Sequence, residues 1–178
     1  MSIGVVFYFD DSTNEKIHKL WKILYDRNIC REMIDSGSYP HVSLAAFDYE
    51  NKEEIINRAR QFAKTIKKFT MTFSSIGCFP GDAGIVYLAP KATIDLLHMH
   101  ESFYSFYGDA DFRPNRLYMP KLLVPHCTMT YNIDRENTLK AIDVLLDELQ
   151  PFEAVVSSIG FAEFYPIKYL KDKVILLE

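Results

Sequence analysis

Two histidines, His41 and His126, are the residues best suited to chemistry, and the chain frames both in the same way. Pro40-His41-Val42-Ser43-Leu44 and Pro125-His126-Cys127-Thr128-Met129 each run proline, histidine, a variable residue, a hydroxyl residue and an apolar one, with the histidines 85 positions apart. An imidazole titrates at ~6.5, so a facing pair near neutral pH can hold one neutral ring and one charged ring. The neutral ring can take a proton from an attacking oxygen while the charged ring gives one to a leaving oxygen. Ser43 and Thr128, two positions on, can donate hydrogen bonds to the non-bridging oxygens of a phosphate held between the rings. An anion in that position favours the charged imidazole. Nothing in this arrangement requires a metal ion or another cofactor.

The elements that must carry these groups can be read from periodicity. Both motifs lie in short apolar runs opened by proline, which predicts strands over about His41 to Phe47 and Leu123 to Tyr131. Side chains alternate along a strand. His41 and Ser43 therefore share one face against Val42 and Leu44, and His126 and Thr128 share one against Cys127 and Met129. Upstream, Ile3 to Phe9 reads as a strand. Asp10 to Thr13 offers caps for a helix with Ile17, Leu20 and Leu24 on one side, running to about Cys30. Arg31 to Tyr39 reads as a polar loop. After the first motif, Ile55, Ile56, Ala59, Phe62, Ala63 and Ile66 mark a second helix. A strand over Phe69 to Phe79 comes next, carrying Ser74-Ser75-Ile76-Gly77.

The order then restarts. Ile85 to Ala89 reads as a strand and Ala92 to Phe106 as a helix. A longer connection spans about Gly108 to Lys121 and leads to the second motif. Asp134 caps another helix, Phe152 to Ala162 is a strand, and Lys173 to Leu177 closes the chain. The strand at Phe152 carries Ser157-Ser158-Ile159-Gly160, 83 positions after the first such tetrapeptide. Two markers recurring at nearly one offset indicate an internal duplication, with too long a period and too few copies for a solenoid. The expected fold is α+β: one domain, 1–178, with a duplicated, pseudo-twofold, two-lobed build. Lobe one covers about 1–83 and lobe two about 84–178, with strand exchange between them an option. Two mainly antiparallel sheets would face a central cleft, with helices on the outside. Symmetry then sets the motif strands across the cleft from one another.

Composition narrows the partners. The chain has 178 residues, 48% hydrophobic and 14% aromatic, enough for a single well-filled core. A net charge of −4 argues against a duplex DNA surface while leaving room for a small basic pocket. Cys30, Cys78 and Cys127 form no C-x-x-C pair and read as reduced thiols, which fits a cytoplasmic protein. The apolar run from Met1 to Asp10 is too short and too little flanked by base to be a signal peptide. No stretch approaches ~18 apolar residues, so no membrane helix and no membrane partner are expected.

Paired His-x-Ser/Thr-apolar motifs in a duplicated lobe resemble the 2H phosphoesterase superfamily, which includes the bacterial 2′-5′ RNA ligases and cyclic nucleotide phosphodiesterases. The resemblance covers nearly the whole chain. It implies that His41 and His126 are the acid–base pair and that Ser43 and Thr128 bind phosphate. It also implies a metal-independent reaction at 2′,3′-cyclic phosphates, 2′-5′ linkages or RNA ends, with a nucleotide or RNA-end phosphate as the partner. Ligase-like members often carry Arg or Lys shortly after a motif, whereas Phe47 and Tyr131 stand here. Basic help could come from Arg113, Arg116 or Lys121 in the long connection, where Tyr118 could stack on a base. Ligation toward 2′-5′ RNA and a catalytically silent nucleotide- or RNA-binding module are the alternatives. His98 and His100, at i and i+2 of a helix, point away from one another and do not suggest a metal site. The Ser-Ser-Ile-Gly segments lack the glycine run and following helix of a phosphate loop and read as strand.

Overall fold

The computed structural model describes residues 2–48, 51–108, 113–164 and 167–178. Its elements run β1 (Ser2–Phe9), α1 (Asp11–Asp26), α2 (Glu32–Asp35), β2 (His41–Asp48), α3 (Lys52–Ala63), β3 (Phe69–Cys78) and β4 (Val86–Pro90). They continue α4 (Ile94–Ser105), β5 (Arg113–Pro114), β6 (Cys127–Thr128), α5 (Arg135–Glu148), β7 (Phe152–Phe164), β8 (Lys168–Tyr169) and β9 (Ile175–Leu176). The helices start where capping chemistry allows. Asp10 accepts from the Thr13 amide at 3.0 Å, Thr93 from Leu96 at 3.2 Å, and Asp134 from Asn137 at 2.8 Å.

The α+β class is as the sequence indicates, and every strand pairing among the described residues is antiparallel. The strands follow one hydrogen-bonded path, β5-β2-β1-β7-β3-β4-β6, with β8 and β9 added to β7. The two halves, β2-β1-β7 and β3-β4-β6, are thus joined at β3–β7, where Phe69–Phe73 pairs with Phe152–Val156. They form one continuous sheet rather than two separate ones. With β5 set aside, the path reads the same on both sides of the β7–β3 seam: a motif strand, then the first strand of its sequence half, then a long strand from late in the other sequence half. β7, late in the chain, completes the β1–β2 side, and β3, early in the chain, completes the β4–β6 side.

The helices cross over as well. α3 and α4 pack behind β2-β1-β7. Phe62 meets Phe103, the Tyr107 hydroxyl donates to the Ile55 carbonyl, and Phe47 stacks on Tyr107 at 4.8 Å. α5 packs behind β3 and β4, and α1 lies beside it, against β7 and with Trp21 reaching β6; Arg27 and Glu148 tie the two helices together. The core lies between these helices and the sheet and includes Phe7, Trp21, Phe47, Phe62, Phe73, Phe103 and Phe161, each buried. A bulge between Val5 and Val6 of β1, opposite Ser43 and Ala45, leaves Leu44 as an extra residue in β2. It keeps Val42, Ala45 and Phe47 on the helix side and His41 and Ser43 on the other.

Several boundaries differ from the sequence reading. The stretch Leu123 to Tyr131 pairs as a strand only at Cys127–Thr128. Pro120 and Pro125 break up the run, Lys121 sits at φ 70°, and the Leu122 and Leu123 amides turn back to the Met119 carbonyl. Leu122 and Val124 stay exposed. The loop after α1 contains the short α2, and the C-terminal strand shrinks to Ile175–Leu176 behind a 3-10 turn at Lys171–Lys173. No helix among the described residues is long and apolar enough to cross a membrane.

Candidate active site

β2 and β6 stand at matching positions of the two half-sheets, and the fold brings them near each other without pairing them. The Cys127 sulfur faces the backbone of His41, and a charge on His126 is felt at His41. His41, Ser43, His126 and Thr128 are all partly exposed, whereas Val42, Leu44, Cys127 and Met129 are buried. The alternation of both motifs therefore delivers imidazole and hydroxyl to the open face and anchors them from behind.

The two imidazoles are held alike. His41 Nδ1 lies 2.6 Å from the Tyr39 carbonyl oxygen, and His126 Nδ1 lies 2.7 Å from that of Val124. A carbonyl only accepts, so each Nδ1 carries the proton and donates it, and each Nε2 is left with a free lone pair. In both cases the acceptor is two residues upstream, across the proline of the motif. Each ring also meets a tyrosine from the neighbouring strand. Tyr8 of β1 approaches His41 edge-on at 6.5 Å between centroids, and Tyr87 of β4 approaches His126 at 5.4 Å.

Burial holds both histidines below the ordinary imidazole value. The carbonyl bonds oppose this in both, and at His41 the charge of His126 adds to the lowering. That mutual effect means a proton on one ring discourages a proton on the other. A singly protonated pair is what one base and one acid require. Burial also pushes the Cys127 thiol up to about 12, so it stays a neutral packing group.

Helices from the opposite sequence half brace the motif backbones. Trp21 of α1 donates its indole N–H to the Thr128 carbonyl at 3.1 Å, and His100 of α4 bonds the Leu44 carbonyl at 2.9 Å. Thr130, fully buried, accepts from the Val86 amide at 2.9 Å and donates to the Gly84 carbonyl at 2.7 Å. These contacts hold β6 in place although it is only two residues long.

The surroundings of the two rings differ. Beside His41, Tyr8, Tyr39, Tyr169, Ser158 and Lys171 line a pocket of about 280 Å³. Tyr8 and Ser158 are more than nine-tenths buried there. Beside His126 lies Phe79, which packs on Tyr87 at 4.5 Å and meets the imidazole at 5.0 Å.

The other residues singled out from the sequence are placed elsewhere. Arg113 pairs with Asp48, seven residues along β2 from His41 and roughly 23 Å away at the usual strand rise. Arg116 and Lys121 are exposed on the connection. Tyr118 lies beside His100 and Tyr104 on the helix side of β2. His98 is exposed and His100 buried, so they do not converge. Tyr8, Tyr87, Tyr39 and Tyr169 escaped the sequence reading. The only signal for the first two was a tyrosine in the opening strand of each half, late in β1 and early in β4.

A family model described as the 2′-5′ RNA ligase superfamily matches residues 9–165. The chain belongs to that superfamily. The family match agrees with the 2H phosphoesterase resemblance of the paired motifs. No curated protein matches the sequence. Among solved structures, Escherichia coli LigT in its apo form is similar at a TM-score of 0.64 and 15% identity, over 99% of this chain and 96% of that one. E. coli LigT complexed with 3′-AMP gives 0.61 and 14%, over 98% and 97%. TT0787 of Thermus thermophilus gives 0.61 and 12%, over 99% and 98%. At these identities the likeness shows a shared fold.

Proposed function

We propose that this member of the superfamily is a metal-independent phosphodiesterase. Its substrates are nucleotides or RNA ends with 2′,3′-cyclic phosphate or 2′-5′ linkages. The observation that carries this reading is the matched pair of imidazoles, each with Nδ1 tied to a backbone carbonyl and Nε2 left for proton transfer. With a cyclic phosphate bound, water attacks phosphorus and gives its proton to one Nε2. The other ring, protonated, donates to the departing ribose oxygen, so the P–O bond breaks without an alkoxide being released. Ser43 and Thr128 hydrogen-bond the non-bridging oxygens. In the free protein both rings are mainly neutral near pH 7, and the phosphate anion supplies the charge that lets one of them take up the second proton.

A nucleotide ligand is supported by a structural neighbour, since LigT has been crystallised with 3′-AMP, phosphate, ATP and NADP+. It is also supported by the tyrosine-lined pocket beside His41, which offers aromatic faces to a base and Lys171 to an anion. The nucleoside then lies on the His41 side, where that pocket is, while Phe79 packs against the His126 ring.

The test is hydrolysis, in EDTA, of 2′,3′-cyclic nucleotides, ADP-ribose 1″,2″-cyclic phosphate and a 2′-5′-linked oligoadenylate. Wild type, His41→Ala and His126→Ala are compared. Turnover by wild type alone, with nucleotide affinity kept within several-fold in both variants, is the expected result. Binding by wild type with no turnover of any substrate would replace this reading with a silent nucleotide-binding module.

A further inference from the structure

Each Ser-Ser-Ile-Gly segment places its glycine directly under one of the two tyrosines that flank the histidines. Tyr87 lies opposite Gly77 of β3 on one side and opposite Thr128 of β6 on the other. Tyr8 lies opposite His41 of β2 and Ser158 of β7, with Gly160 two residues farther along β7. A Cβ on Gly77 would overlap the Tyr87 ring, and a Cβ on Gly160 would overlap the Tyr8 ring. Neither glycine has a positive φ, so backbone conformation is not what demands it. The room taken by a ring is.

The residue that opens each tetrapeptide serves the same end. Phe73 and Ser75 pair with consecutive residues Pro90 and Ala89, leaving Ser74 as an extra residue in β3. Ser158 and Val156 pair with consecutive residues Tyr8 and Phe9, leaving Ser157 as an extra residue in β7. Ser74 and Ser157 are the first residues of the two tetrapeptides. A bulge shifts the alternation of the strand and re-aims the side chains beyond it. In both strands the next same-face position that reaches the tyrosine is the glycine.

We propose that Tyr8 and Tyr87 are positioning residues for His41 and His126, each seated by a bulge-and-glycine segment from the opposite half of the sequence. His41 and Tyr8 come from the first half and Gly160 from the second. His126 and Tyr87 come from the second half and Gly77 from the first. Neither half can complete a histidine setting alone, which accounts for the tetrapeptide and the histidine motif recurring together. The bond to the upstream carbonyl restrains each imidazole at Nδ1 only, and the tyrosine ring closes off rotation on one side. The inference rests on the reading of the two histidines as the proton-transfer pair.

The experiment follows the imidazole signals directly. Chain labelled with 15N-histidine is examined by long-range 1H–15N NMR in EDTA as wild type, Gly160→Ala, Gly77→Ala, Tyr8→Phe, Tyr8→Ala and Tyr8→Ala with Gly160→Ala. Gly160→Ala should move the His41 ring signals and leave those of His126, and Gly77→Ala should do the reverse. Tyr8→Phe, which keeps the ring, should leave the His41 signals in place. In the Tyr8→Ala background the room already exists, so Gly160→Ala should add little. In hydrolysis of 2′,3′-cyclic AMP, Gly160→Ala should lower kcat roughly 100-fold through misplacement of the ring, with KM changed far less. The proposal is overturned if Gly160→Ala leaves His41 unmoved, if both histidines move together in each glycine variant, or if Gly160→Ala acts equally with and without Tyr8. A wild type that hydrolyses no nucleotide removes the phosphodiesterase reading, and the NMR result then decides the positioning role by itself.

Discussion

Replacing Thr130 by valine should loosen the second motif strand. The Thr130 hydroxyl makes two bonds in a fully buried position, accepting from Val86 N–H and donating to Gly84 C=O. Valine keeps the shape and removes both. The amide and the carbonyl remain buried, because Val86 is itself fully buried and Gly84 is buried. An unsatisfied buried polar group costs about 1–3 kcal/mol, and two are left behind. The added methyl returns somewhat under 1 kcal/mol of transfer free energy. The expected net loss is about 1–5 kcal/mol. With a urea m-value of about 2 kcal/mol/M for a protein of this size, the unfolding midpoint falls by roughly 0.5–2.5 M. Thr130→Ser keeps the hydroxyl and loses a methyl, for about 1 kcal/mol. The assay is urea unfolding followed by circular dichroism for the three chains. A Thr130→Val loss below about 1 kcal/mol, or a larger loss in Thr130→Ser, would refute the reasoning that the two hydroxyl bonds, rather than packing, hold β6.

Acid should destabilise the fold through its histidines. His41, His126 and His100 are all held below the ordinary imidazole value, with burial the largest cause. The unfolded chain therefore binds more protons in the window below about pH 6.5, and stability falls there as pH drops through the folded values, while above about pH 7 this contribution is complete. Urea midpoints measured from pH 8 to 5 should be flat and then decline, and a rise on acidification would contradict the assignment. Native chain should react with Ellman's reagent at one thiol, the exposed Cys78, and denatured chain at all three, since Cys30 and Cys127 are buried. Fast labelling that survives Cys78→Ser would show the burial to be wrong. Trp21→Phe should cost about 1–3 kcal/mol, because the Thr128 carbonyl loses its donor. The same variant should also lower turnover of 2′,3′-cyclic AMP. An unchanged midpoint would mean that α1 does not brace the motif.

The orientation of the two motifs is legible in the sequence. Two His-x-hydroxyl-apolar motifs at one offset, with strand alternation, were enough to say which side chains share a face, and the structure orients them so. Capping at Asp10 and Asp134 was equally local and equally readable. The reading of Leu123 to Tyr131 as a continuous strand did not hold. Its apolar content is real, but Pro120, Pro125 and the positive φ at Lys121 make a turn that exposes part of it. The cations and the tyrosine of the long connection are suggested by their type and their position in the chain, and neither tells where a connection runs.

The sequence by itself determined what is periodic or adjacent: helix and strand phases, caps, the faces of the two motifs, and the repetition that pairs them. Tertiary structure decided which distant residues meet. It exchanged β3 and β7 between the halves, set α1 behind β6 and α4 behind β2, and brought Gly160 under Tyr8. The physical reason is that alternation and capping arise from a residue's own backbone and its nearest neighbours. Strand partners, by contrast, are chosen by the whole core at once, through burial summed over residues that no local pattern connects.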